Sequence, residues 1–477
     1  MPPGKTQVCR NSGSAPRRPV RWLVPLVLAM LILGLLAWPG LALELGFRMS
    51  TLLPYKAFNP DIAARGDHVA AVWSEGYDSD SDTKQYGRVY LKGADETNGW
   101  RGRVELFNAN QSLWGRDPRL VLDPNVSGKA HVVWAQASGC PSCNWSSIQY
   151  TTCTIGSPTT CNSPTTVISG RTDASTPDVA VDSSGGVHVV WREQGASFDV
   201  GPIRYCKKGS CTSPSTVASG QHPSLVYANG YLHLVWDTSS DTDSRIKYER
   251  DVSPGNSSWD GSSPRDWWTS PPDLVQYHEP SYPTVGASGN AVYVVWAVQK
   301  KDEASKFALA FDFSQDTGNS WLPDPYVFRP GYSIPENEAA GFSSTWRSTS
   351  IVANDLYSLQ PEVAVTGSGS SAFAHLVWHD RNINSGLYRV WYSYLAGYSD
   401  TGTWNPPELL VAESTRSVGL PAIAVGATPD KTHLAFVRDA NAALFQDYEV
   451  WYAGSNLNRD IDPDDKMRLP ILFKNLR

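Results

Sequence analysis

Methionine is nearly missing from this 477-residue chain, with four residues, and charged side chains make up only 18% of it. Four methionines beside 19 tryptophans and 21 tyrosines argue against a helical protein, because flat aromatic rings fit a pleated, half-buried surface. Basic surplus is missing as well. Beyond residue 43 there are 35 Lys and Arg against 47 Asp and Glu, a net charge of −12. Nucleic acid is thereby excluded as a partner, since its binding rests on neutralising phosphates. Turn residues are abundant instead: 38 Gly and 34 Pro recur throughout as punctuation. The composition predicts an all-β chain with enough apolar residues (41%) to bury a large core.

The N-terminus departs from the rest. Residues 1–21 form a basic leader, with Lys5, Arg10, Arg17, Arg18 and Arg21 and no acids, and residues 22–43 carry no charge. Positive charge ahead of an apolar run holds that end in the cytoplasm and sends the remainder across. The run is long enough to span a bilayer. Gly40-Leu41-Ala42 also offers small residues for cleavage, so a transmembrane anchor and a signal peptide both fit. Either exports the remainder to the extracytoplasmic side, anchored in the cell membrane or secreted. Six cysteines lie beyond the run, an even set that favours disulfides in an exported chain.

Self-similarity organises residues 50–477. "HVAAVW" ends at Trp73, "HVVW" at Trp134 and Trp191, "HLVW" at Trp236 and Trp378, "YVVW" at Trp296 and "HLAF" at Phe436. Each copy follows a proline-led strand: "PDIAA" from Pro60, "PRLVLD" from Pro118, "PDVAVD" from Pro177, "PSLVY" from Pro223, "PTVGA" from Pro283, "PEVAV" from Pro361 and "PAIAV" from Pro421. Third strands such as "PIRY" (202–205) and "EVWY" (449–452) come next, and fourth strands such as "PELLV" (407–411) close the unit. The anchor aromatics are spaced 61, 57, 45, 60, 82 and 58 residues apart. Four short strands at this period predict a seven-bladed β-propeller of four-stranded antiparallel blades. The last blade takes a strand from one terminus, "RLPILF" (468–473) or a segment within 44–57. His131, His188, His233, His375 and His433 share one slot per blade, which spreads them around the ring. They read as architecture, not as a metal site.

"SQDTGNSW" (314–321) matches the Asp-box pattern, with Ser314, Asp316, Gly318 and Trp321 at its fixed positions. Together with the strand repeats, it makes the exported chain resemble the sialidase-like Asp-box, or bacterial neuraminidase repeat, propellers. The box marks a fold: the aspartate takes backbone N–H groups, the glycine takes positive φ and the tryptophan packs beneath. In two blades cysteines occupy the equivalent hairpin, predicting Cys153–Cys161 and Cys206–Cys211, with Cys140–Cys143 closing a small loop. The acidic runs 78–83 and 460–465 could hold calcium but lack the EF-hand glycine and glutamate. No cofactor and no other metal is expected.

The resemblance implies that the functional rim carries the loops after second strands and before first strands. It gathers Glu75, Arg116, Glu193, His222, Asp237, His278, His379 and Asp439. The longest interval holds an insertion, 328–358, with Trp346 and Arg347; such loops are often functional. A sialidase clamps its substrate carboxylate with three arginines, which Arg192, Arg381 and Arg438 could supply. Tyr277 as nucleophile, Glu279 as its primer and Asp380 as acid/base would complete it. The family's first-blade Arg-Ile-Pro signature is missing, where the chain reads "FNPDIAARGDH". The leading expectation is therefore an exported module that binds a glycan or surface protein on its rim. A sialidase-like glycoside hydrolase and a purely structural surface module remain the alternatives.

Overall fold

The computed structural model describes residues 44–50, 55–77, 87–95, 99–107, 113–138, 144–194, 200–238, 245–254, 256, 258–268, 277–300, 306–321, 326–327, 349–350, 360–381, 387–396, 404, 408–411, 417–426, 431–439 and 448–454. The expected leader and apolar run (1–43), Cys140, Cys143 and the acidic runs lie outside them. So do Trp346 and Arg347. Among the described residues, no helix is long and apolar enough to cross a membrane.

The described chain is all-β, its helical content a single short 3₁₀ turn, Gly369–Ser371. Its strands pair antiparallel in sequence order. The second strands carry the aromatic anchors: His68–Tyr77, Lys129–Ser138, Val187–Arg192, Tyr231–Thr238, Ala291–Lys300, Phe373–Arg381 and Thr432–Asp439. Each pairs with a proline-led first strand on one side and a third strand on the other. One long strand, Ser215–Ala228, serves twice. Its first part pairs back to Gly201–Lys207 and its second part forward to Tyr231–Thr238.

The first strands contact one another in a closed cycle. Tyr55–Arg65 touches Leu113–Leu122, which touches Ser175–Val181. The cycle continues through Ser215–Ala228, Tyr277–Ser288, Glu362–Thr366 and Val418–Val425, and back to Tyr55–Arg65. Seven strand groups thus stand side by side, here numbered modules 1 to 7. Module 7 is completed from the N-terminus: Glu44–Arg48 pairs with Tyr448–Gly454 as its outer strand. The other terminal candidate, 468–473, lies outside the described residues. Arg48 seals this closure through a buried ion pair, 3.2 Å from Glu449, which also meets Arg438 at 3.6 Å.

Apolar clusters lie between successive modules, not within them. Trp134 packs among residues of modules 1 and 2, Trp191 among those of 2 and 3, and Trp378 among those of 5 and 6. Strands covered on both sides are buried on both faces, as the eight buried residues of Thr432–Asp439 show. Trp73, Trp134, Trp191, Trp296 and Trp378 are essentially inaccessible to water.

The repeated histidine has a structural partner. Nδ1 of His131, His188, His233, His375 and His433 lies 2.7–2.9 Å from the hydroxyl of Tyr150, Tyr205, Tyr248, Tyr392 and Tyr452 on the adjoining third strand. In modules 2 and 3 the other ring nitrogen donates to Asp123 and Asp182, each at 3.0 Å. Burial pushes His233 down to about 3 and His375 to about 4, so these rings stay neutral. Glu193 and Glu75 are equally local: Trp191 donates its indole N–H to Glu193 at 3.0 Å, and Trp73 donates to Glu75 at 2.8 Å.

Cys153–Cys161 and Cys206–Cys211 form disulfides across their hairpins. The 314–321 turn docks on module 4. Ser320 N–H donates to Asp316 at 2.8 Å, and Gly318 N–H donates to Ser314 Oγ at 2.8 Å. Trp321 packs edge-on against Tyr248 and Trp267. Gly318 has φ +80, and a Cβ there would run into the Tyr248 hydroxyl.

The closure makes a quantitative prediction. Glu449→Gln leaves Arg48 and Arg438 buried without their counter-charge and is expected to cost about 3–5 kcal/mol. Tyr452→Phe, which strands one imidazole nitrogen, is expected to cost about 1–3 kcal/mol. Guanidinium unfolding curves compare the two; a smaller loss for Glu449→Gln than for Tyr452→Phe contradicts the seal.

Candidate functional site: the cavity among the first strands

Where the first strands converge they enclose a cavity of about 580 Å³. Two sets of side chains define it, and both are set by the strand-leading proline. The residue before the proline lies in the left-handed region in six modules: Asn59, Asp117, Thr176, His222, Tyr282 and Leu420 have φ between 44 and 52. In each case the strand pairing shifts at the same place. Such backbones cost about 1–3 kcal/mol each and persist only where surrounding packing imposes them. Here they line the cavity, together with Gln360 of module 6. Asn59 donates to Asp117 across modules at 2.7 Å. The His222 ring lies 4.3 Å from that of Tyr282, and its Nδ1 is 3.0 Å from Asp237.

The residue after the proline differs from module to module: Asp61, Arg119, Asp178, Ser224, Thr284 and Glu362 line the cavity, while Ala422 of module 7 packs in the core. Several of these reach the next first strand. Asp61 accepts the Leu120 N–H at 2.7 Å, Asp178 accepts the Leu225 N–H at 2.7 Å and Ser224 accepts the Val285 N–H at 3.3 Å. Arg119 stands 3.5 Å from Glu362 and 3.8 Å from Asp61, and Thr284 donates to Glu362 at 3.2 Å. Burial works against the Arg119 charge, but Glu362 and Asp61 outweigh it and raise its pKa. Burial also raises Asp61 and Glu362, with Arg119 opposing it, and pushes Asp178 up to about 7. Asp61 and Glu362 thus share the Arg119 guanidinium, and Asp178 lines the same space without an ion pair among the described residues. A concave pocket in which a few polar groups and perturbed acids converge is the usual form of a candidate small-molecule site.

The rim residues expected from sequence take up local partners. Glu75 accepts from Arg103 at 3.1 Å, and Glu193 accepts from Arg171 at 2.8 Å and from Arg204 at 3.0 Å. Arg116 pairs with Asp117 and Asp173 and lies over Trp145 at 4.0 Å. Arg438 lies over Trp451 at 4.6 Å, besides its pair with Glu449. His379 accepts the Leu420 N–H at 3.3 Å, and burial pushes it down to about 3. Asp380 is fully buried, raised well above its usual range by burial, and opposes Arg389 across the ladder. Asp439 is buried, its N–H bonded to the Ser417 carbonyl. Arg192 ends its second strand, half-buried. The backbones of Tyr277, His278, Glu279 and Arg381 lie in strands, their side chains outside the description.

The residues of the second set escaped sequence reading, although a signal existed. A polar residue follows the proline in six otherwise apolar strands, always at the same place.

No protein-family model matches the chain, and no curated protein does either. Solved structures are similar in form. A Trypanosoma rangeli sialidase mutant with trans-sialidase activity matches at 10% identity and a TM-score of 0.41, over 84% of this chain and 54% of that one. This chain therefore spans about half the length of that sialidase. Polysaccharide lyase Uly1 matches at 11% identity and a TM-score of 0.47, covering 86% and 91%. Penicillium chrysogenum α-L-arabinanase, complexed with arabinobiose, matches at 11% identity and 0.42, covering 70% and 92%.

Asp178 sets a pH dependence. Between its usual 3.8 and about 7, the folded chain keeps a proton that the unfolded chain releases. Its contribution therefore makes stability fall as pH rises across that window and level off above it. Asp178→Asn is expected to flatten that slope in denaturation midpoints taken from about pH 5 to about pH 8. Identical slopes in both proteins would show that Asp178 does not hold the proton.

Proposed function

We propose that this chain is an exported seven-bladed β-propeller of sialidase-like type that binds a small glycan in the mouth of its central cavity. The cavity carries the reading: about 580 Å³ lined by acceptor-rich carboxyls, Arg119, Thr284, and the His222 and Tyr282 rings. Sugars present hydroxyls to carboxylates and stack apolar ring faces on aromatic side chains. Two features favour this reading over its rivals. Among the described residues, Glu75, Arg116, Glu193 and Arg438 pair within their neighbourhood, which speaks against their forming a free carboxylate clamp. The large apolar side chains exposed among the described residues are Val126, Val252 and Leu409, in different modules and without a contiguous patch for protein docking.

The closed cycle of first strands supports seven blades, and the two disulfides support an oxidising, extracytoplasmic setting. The basic leader and the apolar run 22–43 support attachment to the cell membrane, or secretion after cleavage. The 314–321 turn supports the Asp-box assignment.

One observation favours a second reading. Asp178, at about 7, retains the proton that a departing glycosidic oxygen requires, beside Asp61 and Glu362. Both readings are tested on the purified full chain with a glycan array, calorimetry and a fluorogenic glycoside panel. Binding without turnover is expected, with Tyr282→Ala weakening it about tenfold, or about 1.4 kcal/mol. Turnover abolished by Asp178→Asn would establish the hydrolase instead; a chain that binds no glycan would end the leading reading.

A further inference from the structure

We infer that His222, aligned by Asp237, is the residue of the cavity mouth that accepts a hydrogen bond from a ligand hydroxyl. The inference rests on the glycan-binding reading and names the sugar class: a neutral glycan that presents an uncapped hydroxyl there, neither etherified nor acylated.

A departure from the repeat carries the argument. The residue following the anchor aromatic is Ser74, Ala135, Arg192, Ala297, His379 or Val437 in six modules, and Asp237 in module 4. The other modules close without an acid in this slot, so the ring does not require one. Asp237 is nevertheless only 1% exposed, where an unpaired carboxylate would be costly. Its partner is His222, whose Nδ1 lies 3.0 and 3.1 Å from the two carboxylate oxygens. Module 4 is also the one module with a histidine before the strand-leading proline. The two departures meet in one pair.

That pair fixes what the imidazole presents to the cavity. A carboxylate only accepts, so Asp237 draws the proton of the neutral ring to Nδ1 and leaves Nε2 a lone-pair acceptor. Among the described residues Nε2 has no hydrogen-bond partner of its own. The ring borders the cavity with 30% of its side chain exposed, and the Tyr282 ring lies 4.3 Å away. The backbone of His222 is held at φ +45, a strained conformation of the kind that clusters at ligand sites. A sugar stacked on Tyr282 sets an edge hydroxyl against Nε2. An O-methyl or O-acyl group at that place has no proton to give.

Two readouts on the full chain test the assignment. Diethyl pyrocarbonate acylates an accessible imidazole lone pair, and peptide mass spectrometry locates the product. His222 is expected to react ahead of the six histidines that are at most 3% exposed, and severalfold more slowly in Asp237→Asn. Calorimetry then uses cellotriose, xylotriose and arabinotriose, each beside its fully O-methylated form. A binding trisaccharide is expected to shield His222 from the reagent and to lose at least about tenfold in affinity when O-methylated. Asp237→Asn and His222→Asn are each expected to weaken the free sugar about fivefold to tenfold. Asparagine tolerates the left-handed backbone and can still donate to Asp237, so His222→Asn removes Nε2 while keeping the turn. Trisaccharide binding that leaves His222 unshielded, or that neither variant weakens, overturns the inference and leaves glycan binding intact. A His222 rate unchanged by Asp237→Asn overturns the alignment. A reactive, Asp237-dependent His222 with no trisaccharide bound overturns the glycan reading but not the aligned imidazole. No reaction at His222 and no sugar binding overturn both.

Discussion

No sheet in this chain can bury its own faces. Every second strand is largely buried on both faces, and what covers it is the strand group before and the strand group after. That mutual dependence forces a cycle, because an open row would leave two end faces exposed to water. The tryptophans of the second strands are the contact points. Replacing such a ring with a small residue typically costs about 3–5 kcal/mol. The histidine–tyrosine pairs hold second and third strands in register inside five of the seven modules. The carboxylate-to-backbone bonds of Asp61 and Asp178 hold first strands in register between modules.

Those last bonds explain why architecture and candidate site are hard to separate here. Asp61 and Asp178 fix the ring and also line the space inside it. Their burial raises their pKa values, and Arg119 moderates the cost without removing it. The left-handed residues before the prolines work similarly. A bulge at one fixed place shifts the pairing, and the displaced side chain lines the cavity. A scaffold that repeats this bulge in six modules presents a ring of unlike side chains on a common frame. Variation at one position per module can then alter the guest without disturbing the core.

Much of the fold was legible because its signals are local and repeated. The "HVVW" periodicity located each second strand, and the hairpin positions of Cys153, Cys161, Cys206 and Cys211 were enough to pair them. The role of the histidine also followed from repetition, since a slot filled once per module cannot assemble one metal site. The cavity was less legible. Asp61, Arg119, Asp178 and Glu362 lie as much as 301 residues apart and belong to four different repeats, so only closure of the cycle brings them together. Rim residues such as Glu75 and Glu193 stood out as charged, yet their indole partners lie two residues away along the chain and their partners Arg103 and Arg171 in nearby connections, a fact that spacing alone does not disclose. The closing strand was ambiguous for a different reason: both terminal segments have strand-like patterns, and pairing with Tyr448–Gly454 decides for Glu44–Arg48.

That closure has a consequence for how the chain is made. Glu44–Arg48 is among the first strands to be synthesised, yet its partner, Tyr448–Gly454, follows some 400 residues later. Vectorial synthesis at about 5–20 residues per second leaves the early segment waiting about 20 to 80 seconds with an unpaired edge. An unpaired edge is an invitation to pair with a neighbouring chain. Folding of this protein is thus bounded by its last pairing, which joins the ends of the domain and spans nearly its whole length. Such long-range closure is entropically slow. Interrupted chains, truncated before residue 448, would lack the partner altogether, so quality control can distinguish a finished molecule from an unfinished one by whether that single seam is shut.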